Sequence, residues 1–271
     1  MASLPAPVSR VSPIIWTGSA GTGQRHVAEE VPVALIYDAS TEAVMMATPA
    51  DLEDFAYGFS LNEGLISNPE DIRRLDIVPG PNGIEARMWL TPERSQSLAA
   101  RRRSRTGPTG CGLCGLDSLE EVLRLRTPIR PSALRLTAFD VLTAVTSLET
   151  RQPLGDQTRA VHAAGFWSPG KGLVAVREDV GRHNALDKLA GALARTGIRG
   201  ETGVIVLTSR VSVEMVQKAA AIGAPVMIAI SAPTALALRT AETAGLTVVA
   251  VARHNGFEVF THTERIVLTG S

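Results

Sequence analysis

Three short runs of β-branched and aliphatic residues in the C-terminal half constrain the fold most strongly. They cover residues 204–207, 226–230 and 248–251, and a helical segment separates each run from the next. Uninterrupted apolar runs of this length are typical of parallel strands that are buried on both faces. Since parallel strands need crossover connections, the pattern predicts a βαβαβ unit with right-handed crossovers and helices packed on the sheet.

The residues before this unit extend the same pattern. Residues 139–152 form an amphipathic helical pattern, and residues 161–179 read as two strands joined by a turn at 168–172. The segment VGRHNALDKLAGALARTG then predicts a helix that ends at Gly197. The C-terminal part is therefore expected to be an α/β domain.

The N-terminal half predicts a smaller, strand-rich α+β domain. Strands are expected at 27–37, 72–78 and 83–90, and a helix is expected from Asp51 to Gly64. Residues 94–115 are basic, rich in small residues and without a hydrophobic period, which predicts a linker or mobile loop. The predicted division is a flexible segment, 1–26, a small domain, 27–93, a cysteine loop with linker, 94–131, and a larger domain, 132–271.

Charge and hydropathy exclude several classes of function. The chain has 27 basic and 27 acidic side chains and a net charge of +0, so overall charge gives no support for nucleic-acid binding. No apolar run reaches about 18 residues, so no membrane span is expected. The N-terminus lacks a positive start followed by an apolar stretch, so no signal peptide is expected either. These features predict a cytoplasmic protein.

Polar loops follow the predicted parallel strands at their carboxyl ends, where ligands of open sheets usually bind. The loops at 208–212 and 231–234 also begin helices, whose free N–H groups attract anions. Ser212 and Thr234 are therefore candidates for receiving phosphate groups. The alternative is that these residues only make good helix starts.

The segment REDVGRHNALDK carries more functional groups than a helix start requires. Arg182 and His183 are the candidate ligand-binding residues within it. In the alternative interpretation, Asp179 caps the helix and the remaining charges form a solvated face. His162 is a weaker candidate, because a single histidine on a strand is usually a core residue with satisfied hydrogen bonds.

Both cysteines of the chain, Cys111 and Cys114, lie in the glycine-rich stretch GCGLCG, close after Arg101, Arg102, Arg103 and Arg105. A structural zinc site would need further ligands, and none of the five histidines is spaced as a partner pair near the thiols. A thioredoxin-like pair would follow a strand, and none is predicted there. Sulfur carriage needs an accessible, flexible thiol with a lowered pKa, which the glycines and arginines favour. Zinc shared across a dimer and sulfur carriage both remain open.

Several long motifs together resemble the FdhD family of formate dehydrogenase accessory proteins. They are GCGLCG, REDVGRHNALDK, SRVSVEMVQKAA, SAPTALAL and the N-terminal EEVPVALIYDASTEAVMMATPADLEDFAYGFSLNEGLI. The resemblance spans about residues 27–268. It implies a cytoplasmic sulfurtransferase that takes persulfide sulfur from a cysteine desulfurase and passes it to the molybdenum or tungsten bis-guanine-dinucleotide cofactor. The cofactor then enters formate dehydrogenase.

The resemblance also implies roles for particular residues. Cys111 would carry the persulfide, with Cys114 as its partner in transfer. The family's cofactor-binding segment falls on six residues, which we expected at the carboxyl end of the last strand. They are Phe257, Glu258, Val259, Phe260, Thr261 and His262. A homodimer is expected from the family alone. Binding of the cofactor without covalent sulfur chemistry, as a chaperone, stays open as a second class of function.

The larger domain of the family is similar in fold to cytidine deaminases, so the expected fold is a deaminase-like α/β/α domain with a smaller α+β domain. A deaminase needs a zinc ligand beside a catalytic Glu, followed by Pro-Cys-x-x-Cys. The corresponding positions here carry His183-Asn184-Ala185 and residues 209–212, SRVS. The Glu and both thiol ligands are missing, so neither deamination nor a catalytic zinc is expected.

Overall fold

The N-terminal segment contains four short strands in the computed structural model, which describes residues 3–105 and 128–268. β1 (Val8–Val11) pairs with β4 (Arg25–Ala28), and β2 (Ile14–Trp16) pairs with β3 (Ala20–Thr22), both antiparallel. The composition of this segment predicts flexibility, yet its Pro and Gly residues lie largely between strands. Its mobility stays a prediction.

A four-stranded sheet with one covering helix forms the core of the N-terminal part. Its strands are β5 (Val31–Tyr37), β6 (Ser40–Ala47), β7 (Ile72–Gly80) and β8 (Gly83–Leu90), in the order β6-β5-β8-β7. Helix α1 (Leu52–Asn62) buries Phe55 and Phe59 against this sheet. The predicted helix and the strands predicted at 72–78 and 83–90 are confirmed, and these two strands, β7 and β8, pair antiparallel. The first predicted strand divides into β4 and β5.

The basic stretch after β8 is a helix for its first part, and the linker prediction is wrong there. α2 (Pro92–Arg105) begins with Pro at its first position and is rich in Arg, Ser and Ala. Arg and Ala are good helix formers, and Pro suits a first helical position. Leu98 is buried in the N-terminal core, and Arg102 Nε donates to Glu42 Oε2 at 3.1 Å. A single buried leucine is too little to give a hydrophobic period.

The C-terminal part is built on a six-stranded mixed sheet. In chain order its elements are β9 (Leu136–Thr137), α3 (Ala138–Glu149), α4 (Pro153–Thr158), β10 (His162–Ser168), β11 (Gly172–Asp179), α5 (Arg182–Arg195), β12 (Val204–Leu207), α6 (Val213–Ile222), β13 (Val226–Ala229), α7 (Ala235–Ala244), β14 (Thr247–Arg253), β15 (Gly256–Val259) and β16 (Ile266–Val267). The sheet order is β11-β10-β12-β13-β14-β15. Strands β12, β13 and β14 are parallel, which confirms the predicted βαβαβ unit.

Helices cover both faces of this sheet. On one face α3 buries Val141, Val145 and Leu148 among aliphatic side chains of the strands. On the other face α5, α6 and α7 share a second core with the same strands. The strands are therefore buried on both sides, as their continuous apolar runs predict. The whole protein is a mixed α/β structure, and no helix within residues 3–105 and 128–268 is long and apolar enough to cross a membrane.

The two parts join where α1 packs against α5 at very short range. Gly58 lies opposite the backbone of Asp187 and Gly191, and Gly191 lies opposite the backbone of Asp54 and Gly58. A Cβ atom on Gly58 would stand 2.7 Å from the Gly191 nitrogen and would overlap the Asp187 carbonyl oxygen. Only glycine allows this approach, so these two positions set the spacing between the two parts.

We expect Gly58→Ala and Gly191→Ala each to destabilise the protein by about 2 kcal/mol or more, measured by urea unfolding. Overpacking typically costs about 1–3 kcal/mol, and the clash is with backbone. That loss exceeds the gain of roughly 0.5–1 kcal/mol from replacing a helical glycine. Gly21→Ala is the control, because nothing lies within 4 Å of its Cβ position. Unchanged stability of both helix variants would contradict the proposed packing.

Candidate functional site

Two loops at the carboxyl end of the large sheet are held side by side by backbone hydrogen bonds. The loops after β12 and β13 meet in a parallel bridge between Val211 and Pro233. The Thr234 N–H donates to the Val211 oxygen at 3.0 Å, and the Val211 N–H donates to the Ala232 oxygen at 3.3 Å. The two helix starts that carry Ser212 and Thr234 therefore lie at one edge, as predicted.

The hydroxyl groups of these two helix starts differ in what they bind. Thr234 Oγ1 accepts a hydrogen bond from the Ala237 N–H at 3.2 Å and caps α7. Pro233 therefore precedes the cap. Ser212 precedes α6 without a side-chain bond to the helix backbone. Its hydroxyl oxygen is closed off from solvent and has no hydrogen-bond partner among the residues that the structure describes. The nearby hydroxyl lowers the pKa of Glu214.

Helices α5 and α6 face each other along their first two turns. Lys218 Nζ lies 2.6 Å from Asp187 Oδ1, and Asp187 is buried. His183 precedes Asp187 by four residues, and Glu214 precedes Lys218 by four. Since residues four apart share one face of a helix, His183 and Glu214 lie near each other one turn nearer the sheet edge. The two helices thus bring polar groups from two distant segments together.

Two side-chain nitrogens at the start of α5 lack hydrogen-bond partners. Arg182 Nε and His183 Nε2 are closed off from solvent, and neither has a partner among the residues that the structure describes. A desolvated polar atom without a partner costs roughly 1–3 kcal/mol. Such atoms at a helix start indicate a place where a ligand supplies the missing hydrogen bonds.

His162 belongs to the same cluster, although the sequence ranked it low. Thr208 Oγ1 accepts a hydrogen bond from the Ala163 N–H at 2.9 Å, which ties the start of β10 to the end of β12. Burial lowers the pKa of His162, and the nearby Arg182 guanidinium lowers it further. Burial, Arg182 and Lys218 together lower the pKa of His183. Both imidazoles are therefore neutral at physiological pH.

The other charged groups of REDVGRHNALDK hold the two parts of the protein together. Asp179 is fully buried and lies 2.6 Å from Lys188 Nζ, which is also fully buried. The Asp179 carboxylate also accepts hydrogen bonds from the N–H groups of Thr48 and Gly181 and from Asn184 Nδ2, at 2.8–3.0 Å. The interpretation of these charges as a solvated face is wrong, because burial and four donors make Asp179 a structural centre.

The C-terminal segment expected at the carboxyl end of the last strand runs away from it. β14 and β15 form an antiparallel hairpin in which Arg253 pairs with Gly256 and Val249 with Val259. Phe257 and Glu258 therefore begin near the carboxyl edge. The chain then returns toward the amino end of β14. The expected position is wrong for the later residues, because the last strand continues into a hairpin that the sequence pattern did not reveal.

The later residues of this segment are held at the opposite edge. Thr261 Oγ1 donates to the Leu246 oxygen at 2.6 Å and accepts from the Val248 N–H at 2.9 Å. The His262 ring lies 3.0 Å from the Glu242 oxygen at the end of α7. Val259 and Phe260 pack against the two sides of the sheet. The structure therefore brings Arg182, His183, Ser212 and Thr234 to one edge, and Thr261 and His262 to the other.

Cys111 and Cys114 lie outside the described residues. Within those residues, no three His, Cys, Asp or Glu side chains come close enough to hold a metal ion.

Sequence reasoning missed Glu214 and Lys218. Their distance along the chain from Ser212 is the signal that could have found them. Both residues lie in the first two turns of α6, the helix that begins at the predicted ligand edge.

The fold and these polar groups define a mixed α/β protein in which helices cover both faces of the large sheet, with a polar site at that sheet's carboxyl edge. The model of the FdhD/NarQ family matches residues 28–267. The chain is 52% identical over 251 residues to the sulfur carrier protein FdhD of Agrobacterium fabrum, covering 93% of each chain. It is 55% identical over 243 residues to that of Brucella abortus, covering 90% of each. The chain therefore belongs to the FdhD/NarQ family.

A solved structure is similar over nearly the whole chain. It is that of a formate dehydrogenase accessory protein from Desulfotalea psychrophila, with a TM-score of 0.74 and 27% identity. The match covers 96% of this chain and 99% of the other. The arrangement of both parts is thus shared with a relative of distant sequence.

We expect Lys188→Met to lower the free energy of unfolding by about 3–5 kcal/mol in urea titrations, because it leaves a buried carboxylate without its cation. The matched control is Arg87→Met, which removes the exposed pair with Glu85 and should cost about 1 kcal/mol or less. A loss in Lys188→Met no larger than in the control would contradict the role of Asp179 as a structural centre.

Stability should fall as the pH is lowered from about 7.5 to about 5.5. The unfolded chain takes up protons at His162 and His183 near their ordinary pKa of about 6.5. The folded protein takes up fewer protons in this range, since burial and the nearby Arg182 cation lower the pKa of both histidines. The unfolded state then binds more protons, so its free energy falls relative to the native state. Urea unfolding of the double variant His162→Asn/His183→Asn should show a smaller pH dependence, and an unchanged one would contradict this assignment.

Proposed function

We propose that this chain is a sulfurtransferase that carries persulfide sulfur from a cysteine desulfurase to the molybdenum bis-guanine-dinucleotide cofactor. The sulfurated cofactor then enters formate dehydrogenase. Membership of the FdhD/NarQ family, with close relatives named sulfur carrier protein FdhD, is the observation that carries this proposal. We further propose a cytoplasmic homodimer whose larger domain is deaminase-like. The sheet order and the two helical layers support that fold.

The sulfur chemistry falls to Cys111 and Cys114. The Cys111 thiolate takes a sulfane sulfur from the persulfide of the desulfurase and becomes a persulfide itself, while the desulfurase regains its thiol. The Cys114 thiolate then attacks Sγ of Cys111. A disulfide forms between Cys111 and Cys114, and the S–S bond of the persulfide breaks. The electron pair of the broken bond stays with the outer sulfur, which is released to the cofactor as sulfide. A dithiol reductant restores the two thiols. The pair of cysteines supports this sequence of steps, because one thiol alone cannot reduce its own persulfide.

The acceptor would bind at the edge where Arg182, His183, Ser212 and Thr234 meet. Three features support this role: the positive charge of Arg182, the free N–H groups at two helix starts, and the side-chain nitrogens of Arg182 and His183 that lack hydrogen-bond partners among the described residues. The segment from Phe257 to His262 is proposed as cofactor-binding on the family resemblance. Its two ends lie at opposite edges, so a long dinucleotide would have to extend along β15 to contact all of it.

Incubation with a cysteine desulfurase and cysteine should add the mass of one sulfur atom to the peptide containing Cys111 and Cys114. Mass spectrometry under non-reducing conditions measures the gain. Cys111→Ala should not gain the mass and should abolish formate dehydrogenase activity in cells. The Cys114→Ala protein should gain the added sulfur mass and keep it, because the thiol that releases the sulfur from Cys111 is missing.

A cofactor chaperone without covalent sulfur chemistry predicts no added mass on the wild-type peptide. Full formate dehydrogenase activity in cells that carry Cys111→Ala would likewise contradict the sulfur-carrier proposal. Circular dichroism of both variants serves as the folding control.

A further inference from the structure

The carboxyl end of β14 contains a backbone conformation that its residue type disfavours. Val251 has a φ of 51°, in the left-handed region, and among the non-glycine residues that the structure describes there it alone is β-branched. A branched side chain in this region is an outlier, because its Cβ crowds the following carbonyl oxygen. Such conformations persist only where the surrounding contacts fix them, and they cluster at functional sites.

Val251 is the first residue of a β-bulge. From Ala250 to Arg253, β14 advances three residues along its pairing with β15. Over the same stretch β15 advances only two residues, from Glu258 to Gly256. In the type of bulge whose first residue is left-handed, that residue is usually glycine, which has no Cβ to crowd the backbone. Val251 therefore occupies a position that favours glycine.

The contacts around Val251 hold this conformation in place. Its N–H donates to the Ser231 oxygen at 3.2 Å, in the loop between β13 and α7. The residues on either side of it, Ala250 and Ala252, are both fully buried. The bulge is thus bound to the loop that leads to Thr234, the cap of α7.

The bulge reverses the faces of the sheet on which the following side chains lie. Ala250 packs in the core that β14 shares with α5, α6 and α7, whereas Ala252 packs in the core that it shares with α3. In a regular strand, residues two apart lie on the same face. The extra residue shifts this alternation by one, so Arg253 falls on the face of α6 and α7 and not on the face of α3. Arg253 is exposed there.

We infer that Val251 is a positioning residue, whose bulge places the Arg253 guanidinium on the side of the α6 and α7 starts, where it binds a phosphate group of the acceptor. The inference rests on the proposed function, because the guanine dinucleotide supplies the phosphates. Helix starts offer N–H donors and a partial positive charge. Arg253 adds a full positive charge with the forked geometry that suits phosphate oxygens. Bulges next to functional sites commonly re-aim a side chain in this way.

Titration calorimetry with GDP tests the inference on wild type, Val251→Gly, Arg253→Gln and the double variant. Arg253→Gln should weaken GDP binding by about 10-fold, the low end for hydrogen bonds to charged groups, because Arg253 is exposed. Val251→Gly frees the backbone, so that Arg253 is correctly placed for only part of the time. It should weaken binding by about 3- to 10-fold. Val251→Gly should add no further loss to Arg253→Gln, since Val251 acts through Arg253.

The melting temperature separates positioning from a merely structural role. Val251→Gly should melt no lower than wild type, because glycine suits a left-handed backbone. Val251→Thr, which keeps a β-branched side chain, should retain the affinity of wild type for GDP. Ala39→Gly is the matched control: Ala39 is also left-handed, with a φ of 63°, but lies in the turn between β5 and β6 of the small sheet. It should bind GDP as wild type does.

Two results would overturn the inference and leave the proposed function standing. One is unchanged GDP binding in Arg253→Gln. The other is an equal loss from Val251→Gly with and without Arg253, accompanied by a lower melting temperature. Failure of wild type to bind GDP would instead contradict the acceptor named in the proposed function.

Discussion

The architecture depends on one buried carboxylate, that of Asp179 at the end of β11. It receives a lysine from α5 and backbone N–H groups from both parts of the chain. A buried ion pair contributes little net stability by itself, since desolvation offsets most of the attraction. Its effect here is geometric: the Thr48 backbone of the N-terminal part and the start of α5 are bound to the same group. That shared group, with the glycine contact between α1 and α5, determines where the first turn of α5 lies.

The position of α5 in turn organises the polar groups at the sheet edge. Because Asn184, Asp187 and Lys188 point into buried contacts, the residues just before them, Arg182 and His183, are left at the sheet edge. The same short segment therefore supplies both the structural anchor and the ligand-facing groups. Helix α6 adds Ser212 and Glu214 through the Asp187–Lys218 pair. Polar groups that cannot satisfy one another within the fold remain there, which is characteristic of sites that bind a ligand.

Much of the fold could be predicted from the sequence, because its strongest signals are periodic. The parallel strands, their helices and helix α1 all follow from apolar spacing. The errors have local physical causes. α2 lacks an apolar stripe because one leucine suffices to anchor it, and the hairpin after β14 has weak strand signals.

Part of the candidate site could also be predicted. Arg182, His183, Ser212 and Thr234 could be placed at one edge, since the sequence pattern indicates where helices start and where strands end. Glu214 and the buried role of Asp179 could not, because they depend on contacts between segments far apart in sequence. The roles of Cys111 and Cys114 rest on the family.

The central claim is that the acceptor is seated where α5 and α6 begin, and a crystal structure of the protein with bound GDP tests it most directly. We expect the nucleotide at the edge where Arg182, His183, Ser212 and Thr234 meet. A cleft of about 750 Å³ lies elsewhere, near the last turns of α5 and α6, and is lined by Leu61, Ile129, Leu193 and Ile222. A base seated there, with the first turns of both helices unoccupied, would contradict the account.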